Sequence, residues 1–182
     1  MFLYGGVGLV VALTACDDGI DGKPQAAAPV AAPAVSASPP DPDVADRAAA
    51  LEAYSAMWVE QMRAYRVASA EQTDVKRYAT VDALRVFERD LAELKRNRTV
   101  IRGDLGHEPE VTALDAGTRP QTVTVKDCID LSQWRVLDTT TGWPLPLPSN
   151  EPLRYAATAT VERRDGGRWM VTEYTPDGSR MC

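Results

Sequence analysis

Apolar residues recur along this chain with three different spacings, and each spacing predicts a different kind of element. From Phe2 to Ala15 ("FLYGGVGLVVALTA") they form a block of fourteen residues that carries no charge. Beyond Asp43 they step by three or four, so that Leu51, Tyr54, Trp58, Met62 and Tyr65 make one stripe of a long helix reaching Ala70. Asp43 and Asp46 stand where the positive end of that helix would be. A short helical segment follows at Asp74 to Tyr78. Thr80 is placed to cap a third helix, which carries Leu84, Phe87, Leu91 and Leu94 on one face and Lys95, Arg96 and Arg98 near its end.

After Gly103 the period falls to two. "PEVTALD" (Pro109 to Asp115) and "QTVTVKDCID" (Gln121 to Asp130) read as β-branched strands, and a loop rich in Trp, Pro and Leu, "TGWPLPLPSNEP", follows them. The stretch "LRYAATATVERRDGGRWMVTEY" reads as a hairpin. With Asp165-Gly166-Gly167 as a three-residue loop, Val161 falls opposite Val171 and Arg163 opposite Trp169. That register gathers Tyr155, Ala157, Ala159, Val161, Trp169 and Val171 on one face, whereas a shorter Asp165-Gly166 loop would turn Trp169 away. The order is three helices and then a four-stranded antiparallel sheet. An amphipathic helix must bury its stripe, and a sheet with one apolar face is available, so the fold class is α+β.

The first apolar block is too short to span a bilayer, which takes roughly 17–25 residues. It has the length of a signal-peptide core. The "GGVG" inside it has no preceding strand and no following Lys-Ser/Thr, so it is no phosphate loop. Leu13-Thr14-Ala15-Cys16 closes the block and resembles a bacterial lipobox. The resemblance implies that residues 1–15 are a lipoprotein signal peptide and that the Cys16 thiol carries a diacylglyceryl group. The protein would then be extracytoplasmic, on the outer face of the cell membrane. Each buried CH₂ contributes about 0.8 kcal/mol, so two acyl chains anchor where one is marginal. Ordinary secretion with a free Cys16, or a short uncleaved anchor, are the alternatives. No Lys or Arg precedes the block, so either translation starts upstream or export is inefficient.

Residues 16–42 combine the lipidated cysteine with a stretch of Ala, Pro, Ser, Gly and Asp that contains no aromatic residue. Such a composition does not bury enough surface to offset its ordering entropy, which predicts a disordered tether. Its reach is about 28 Å as a coil and about 80 Å extended. Its prolines are too loosely spaced for a strong PxxP ligand. The net charge is −6, from 26 acidic and 20 basic residues. Six acids and two bases lie between Asp17 and Ala50, so the domain beyond is nearly neutral. An acidic chain is poorly suited to neutralising phosphates, which excludes nucleic acid as a partner class. Sixteen of the bases are arginine, in keeping with a GC-rich genome.

The element order over residues 43–182 resembles the nuclear-transport-factor-2-like fold, also called ketosteroid-isomerase-like. "RYATVDAL", "TVTVKDCIDLSQW" and "ATATVERRDGGRWMVTEY", followed by a terminal cysteine, are similar to uncharacterised secreted lipoproteins of streptomycetes. The resemblance implies a cone in which the curved four-stranded sheet wraps the long helix, and it brings no assigned activity. Relatives of this fold commonly dimerise through the outer face of the sheet, so a homodimer is a third reading.

With Cys16 taken by lipid, Cys128 and Cys182 remain. Two leftover cysteines in an exported chain predict a disulfide. Metal ligation or a reactive thiol would want histidine neighbours, which are lacking, and no metal site is expected. His107 is the only histidine and falls in "GDLGHEPE" between the third helix and the first strand, where it reads as an exposed loop residue. No G-x-S-x-G accompanies it, "HEPE" lacks the second histidine of H-E-x-x-H, and the calcium-loop spacing is missing around "DCIDLSQW".

Cone folds often enclose a pocket, and some members abstract a proton with a buried carboxylate. Here Asp127, on the Val123/Val125 face, and Glu173, on the Trp169/Val171 face, are the available bases, with Tyr54, Trp58 and Trp169 lining the same speculative pocket. Against that, both acids lie near strand ends, in reach of solvent or of Arg135, Arg163 or Arg168. Trp143, Leu145 and Leu147 form either an exposed patch or a cap on the cone. The expectation is therefore a non-enzymatic binding domain without cofactor, taking a protein partner or a small hydrophobic ligand. The alternative is a pocket enzyme using Asp127 or Glu173.

Overall fold

The computed structural model describes residues 41–147 and 152–182. The first apolar block, Cys16 and the tether as far as residue 40 lie outside the described residues. Among the described residues no helix is long and apolar enough to cross a membrane.

The first helix, α1 (Pro42–Tyr65), starts one residue before Asp43 because Asp41 caps it, its carboxylate accepting from the Asp43 amide at 3.0 Å. Pro42 suits the first helical turn, where its missing N–H is no loss. The helix ends at Tyr65, short of Ala70. Its stripe is its buried face: Tyr54, Trp58, Met62 and Tyr65 are buried and Leu51 packs against them. Two further helices follow, α2 (Val75–Tyr78) and α3 (Val81–Asn97). Phe87 is buried, with Leu84, Leu91 and Leu94 partly buried against the core. Thr80 occupies the cap position of α3 without a side-chain bond.

Eight strands follow among the described residues: β1 (Thr99–Arg102), β2 (Gly106–His107), β3 (Glu110–Asp115), β4 (Thr122–Asp130), β5 (Arg135–Asp138), β6 (Pro144–Leu145), β7 (Arg154–Arg163) and β8 (Trp169–Asp177). The fold is α+β, with helices packed against antiparallel sheets. The expected single sheet of four strands is corrected to two sheets. The larger has five strands, with β2 and β3 paired along one edge of β4, then β7 and β8; the smaller has three, in the order β1-β5-β6. The smaller sheet arises because α3 stops at Asn97 and Arg98 adopts the left-handed conformation (φ 54°, ψ 46°), which frees Thr99 to Arg102 to pair with β5.

The hairpin pairs Val161 with Val171 and Arg163 with Trp169 across the Asp165–Gly167 turn. One residue further along the same two strands the register shifts. Thr172 is an extra residue on β8, so Thr160 pairs with Glu173 and Ala159 with Tyr174. The buried faces of β4, β7 and β8 (Val123, Val125, Ile129, Ala157, Ala159, Val161, Val171) meet Tyr54, Met57 and Trp58 of α1 in the core. Each fully buried large side chain there contributes about 1.5–3 kcal/mol. Cys128 and Cys182 form a disulfide, their Cα atoms 5.8 Å apart, and the Ala156 amide donates to the Arg180 carbonyl, which lays the tail along β7. Gly103 turns the chain between β1 and β2 at φ 87°, where a Cβ would run into the Gln133 carbonyl oxygen. That turn sets the position of Asp104 to His107.

Candidate functional site

Asp127 lies in the middle of the β4 pairing with β7 rather than at a strand end, and it is buried (5% exposed). This corrects the expectation that its carboxylate would reach solvent or an arginine. A buried carboxylate needs donors, and three converge on it. The Tyr54 hydroxyl donates to Oδ2 at 2.8 Å, the Glu108 amide donates to Oδ1 at 2.7 Å, and His107 Nδ1 lies 3.3 Å from Oδ2. Burial first, and then the neighbouring Asp127 charge, push the Tyr54 hydroxyl well above its ordinary pKa, so it stays a proton donor. Because a carboxylate oxygen only accepts, a hydrogen bond between the two requires the His107 tautomer that carries its proton on Nδ1 and directs it at Asp127.

His107 is thus not a free loop histidine. It sits in β2, paired with Ile129, and its side chain is 26% exposed. The exposed part of the ring faces a cavity of about 360 Å³ whose wall includes Ser55, Trp58, Met62, Arg63, Arg66 and Asp104. Asp127 is behind the ring and is not part of that wall. Sequence reasoning missed this pairing because β2 is two residues long, and only its lateral contact with β4 brings His107 to Asp127.

The bulge at Thr172 decides the fate of the second candidate base. It turns Glu173 to the outer, exposed face, where the Thr160 hydroxyl donates to its carboxylate at 3.0 Å. The placement of Glu173 on the Trp169/Val171 face is therefore corrected, and Glu173 and Asp127 do not share a site. Tyr174 takes the inward position instead and meets Trp58 edge-on, ring centroids 5.4 Å apart. Burial drives the Tyr174 hydroxyl's pKa far up. Its oxygen and Trp58 Nε1 are shielded from solvent and have no partner among the described residues. Trp169 is buried near the hairpin turn, opposite Arg163, which reaches Asp46 and Gln121. Of the speculative pocket, then, Tyr54 and Asp127 are hydrogen-bonded, and Trp58 and Trp169 belong to the same core, Trp169 at its hairpin-turn end.

A second cavity, of about 300 Å³, has mostly apolar walls: Leu94 of α3, Ile101 of β1, Val136 of β5, and Leu131, Trp134 and Leu153. Leu147 of the Trp/Pro/Leu loop also lines it, while Trp143 and Leu145 are exposed (73% and 42%). Two acids, Asp90 and Glu93, complete the wall. The Tyr65 hydroxyl donates to Asp90 at 3.3 Å, and Tyr65 packs edge-on against Trp134. Burial raises the pKa of both Asp90 and Tyr65. Among the described residues no group of three or more His, Cys, Asp or Glu side chains is arranged to hold a metal ion.

No protein-family model matches the chain. No curated protein matches it either. Among solved structures, the chain is similar to the intermembrane-space region of the chloroplast protein ARC6, with 13% identity and a TM-score of 0.44 over 73% of this chain and 97% of that one.

Proposed function

We propose that the protein is an extracytoplasmic lipoprotein held to the membrane through Cys16, and that its folded domain is a non-enzymatic binding module of nuclear-transport-factor-2-like, cone-shaped architecture. Its ligand is a small hydrophobic molecule seated beside Trp134. The observation that carries this reading is the second cavity, whose volume and apolar lining suit such a ligand. Export is supported by the lipobox-like Leu13 to Cys16 and by the Cys128–Cys182 disulfide, since disulfides persist in oxidising compartments. Catalysis by a carboxylate base draws less support. Both Asp127 oxygens already accept hydrogen bonds, and Glu173 points outward.

Two measurements test the reading. Cys16→Ala should move the protein from the membrane to the soluble fraction, and unchanged fractionation would refute the anchor. The neutral fluorophore N-phenyl-1-naphthylamine should bind the full-length chain saturably. Leu131→Trp, which fills the cavity, should abolish that binding; undiminished binding would refute the site.

A further inference from the structure

The His107 cavity is separate from the apolar one and has a different chemistry. Its surrounding carboxylates are already occupied. Asp104 accepts from Arg66 Nη2 at 2.9 Å, and Glu60 accepts from Arg63 Nη1 at 2.9 Å and from the Asp74 amide at 2.9 Å. Asp127 already accepts from Tyr54 and Glu108 and lies against His107. What remains unspent on this wall is mainly donor capacity. Arg63 and Arg66 each offer further N–H groups, because one guanidinium carries five. His107 offers the Nε2 edge of its ring, which makes no bond to a described residue. Next to these donors lie Trp58, Val59, Met62 and Leu105.

We infer that this cavity is a second binding site, for a small organic anion: an anionic head group received by His107 and Arg66, with a short apolar body against Met62 and Leu105. Binding draws one proton from solvent onto Nε2, which then donates to the head group, while Nδ1–H stays on Asp127. Tyr54 and Asp127 are positioning residues, since they hold the ring without reaching the ligand.

Because His107 is the chain's sole histidine, histidine-selective ¹³C/¹⁵N labelling gives one imidazole to observe. The full-length chain is titrated with octanoate, octyl phosphate, octanol and octylamine, which share a body and differ in head group. Octanoate, octyl phosphate or both should shift the ring signals and move them towards the protonated form; which of them acts tells carboxylate from phosphate. Octanol and octylamine should do neither. His107→Asn retains a donor towards Asp127 and removes Nε2, so its fold is preserved. It should weaken the anion about tenfold, the loss expected for one charge-assisted hydrogen bond, as read from the indole signals of the cavity-lining Trp58. Arg66→Gln should weaken it similarly, while Leu131→Trp should leave it unchanged. An equal ring response to octanol or octylamine, no ring response to either anion, or full affinity in His107→Asn would overturn the assignment.

Discussion

Replacing Asp127 by alanine should be among the most damaging single changes in the domain. The substitution strands two donors, the buried Tyr54 hydroxyl and the Glu108 amide, whose hydrogen bonds are 2.8 and 2.7 Å long. A buried donor left without an acceptor costs about 1–3 kcal/mol, so the pair amounts to about 2–6 kcal/mol. His107 adds little, because its ring is partly exposed and can turn to water. Relief from burying a charge offsets some of the loss. A domain is typically stable by about 5–15 kcal/mol, so the remainder is a large fraction. Tyr54→Phe removes one donor and leaves Asp127 with the other two, at a cost of about 1–2 kcal/mol. In the double variant no tyrosine hydroxyl is stranded, so the two losses should fall short of additivity by about 1–3 kcal/mol. Guanidinium unfolding of the four proteins under non-reducing conditions, with equal m-values, measures all of this. An Asp127→Ala loss below about 0.5 kcal/mol, in the range of ordinary surface changes, would show that these donors are not stranded. Strict additivity with Tyr54→Phe would refute the bond.

Other consequences are equally direct. The Cys128–Cys182 bond closes 54 positions of chain, and reducing it should cost about 4 kcal/mol in the chain-entropy model, seen as a lowered unfolding midpoint with reductant. An unchanged midpoint would show that the bond does not constrain the unfolded chain. Asp90 is raised in pKa by burial, so the native state holds its proton more tightly than the unfolded chain does. Its contribution is then fully present below the unfolded-state value and is lost as pH rises through the native one. Asp90→Asn should accordingly gain on the natural protein at about pH 7 and lose that gain at about pH 3. Matched unfolding midpoints that differ equally at both pH values would contradict this.

Long elements were legible in the sequence, and short or irregular ones were not. The Tyr54-Trp58-Met62-Tyr65 stripe repeats often enough to define α1 and its buried face. The alternation of "TVTVKDCID" likewise defines β4 and the inward side of Asp127. The hairpin register followed from loop length and side-chain facing. By contrast, β1 is four residues with no alternation, hidden behind a helix end that lacks the usual glycine. The Thr172 bulge carries no sequence mark, yet one inserted residue exchanges the faces of Glu173 and Tyr174. The His107–Asp127 contact depends on packing between residues twenty positions apart, so neither local pattern nor motif could reveal it. The apolar cavity is similar. Its walls come from α3, β1, β5 and two connecting segments, none of which reads as a site alone.

Diffraction from crystals of the full-length chain under xenon pressure would show whether the space beside Trp134 is a preformed apolar cavity, because xenon enters such cavities and avoids polar ones. A xenon atom should lie among Leu94, Ile101, Leu131, Trp134 and Val136, and should be lost in Leu131→Trp. A cavity that stays free of xenon, with these side chains in mutual contact, would contradict the claim that this space is built to receive a hydrophobic molecule.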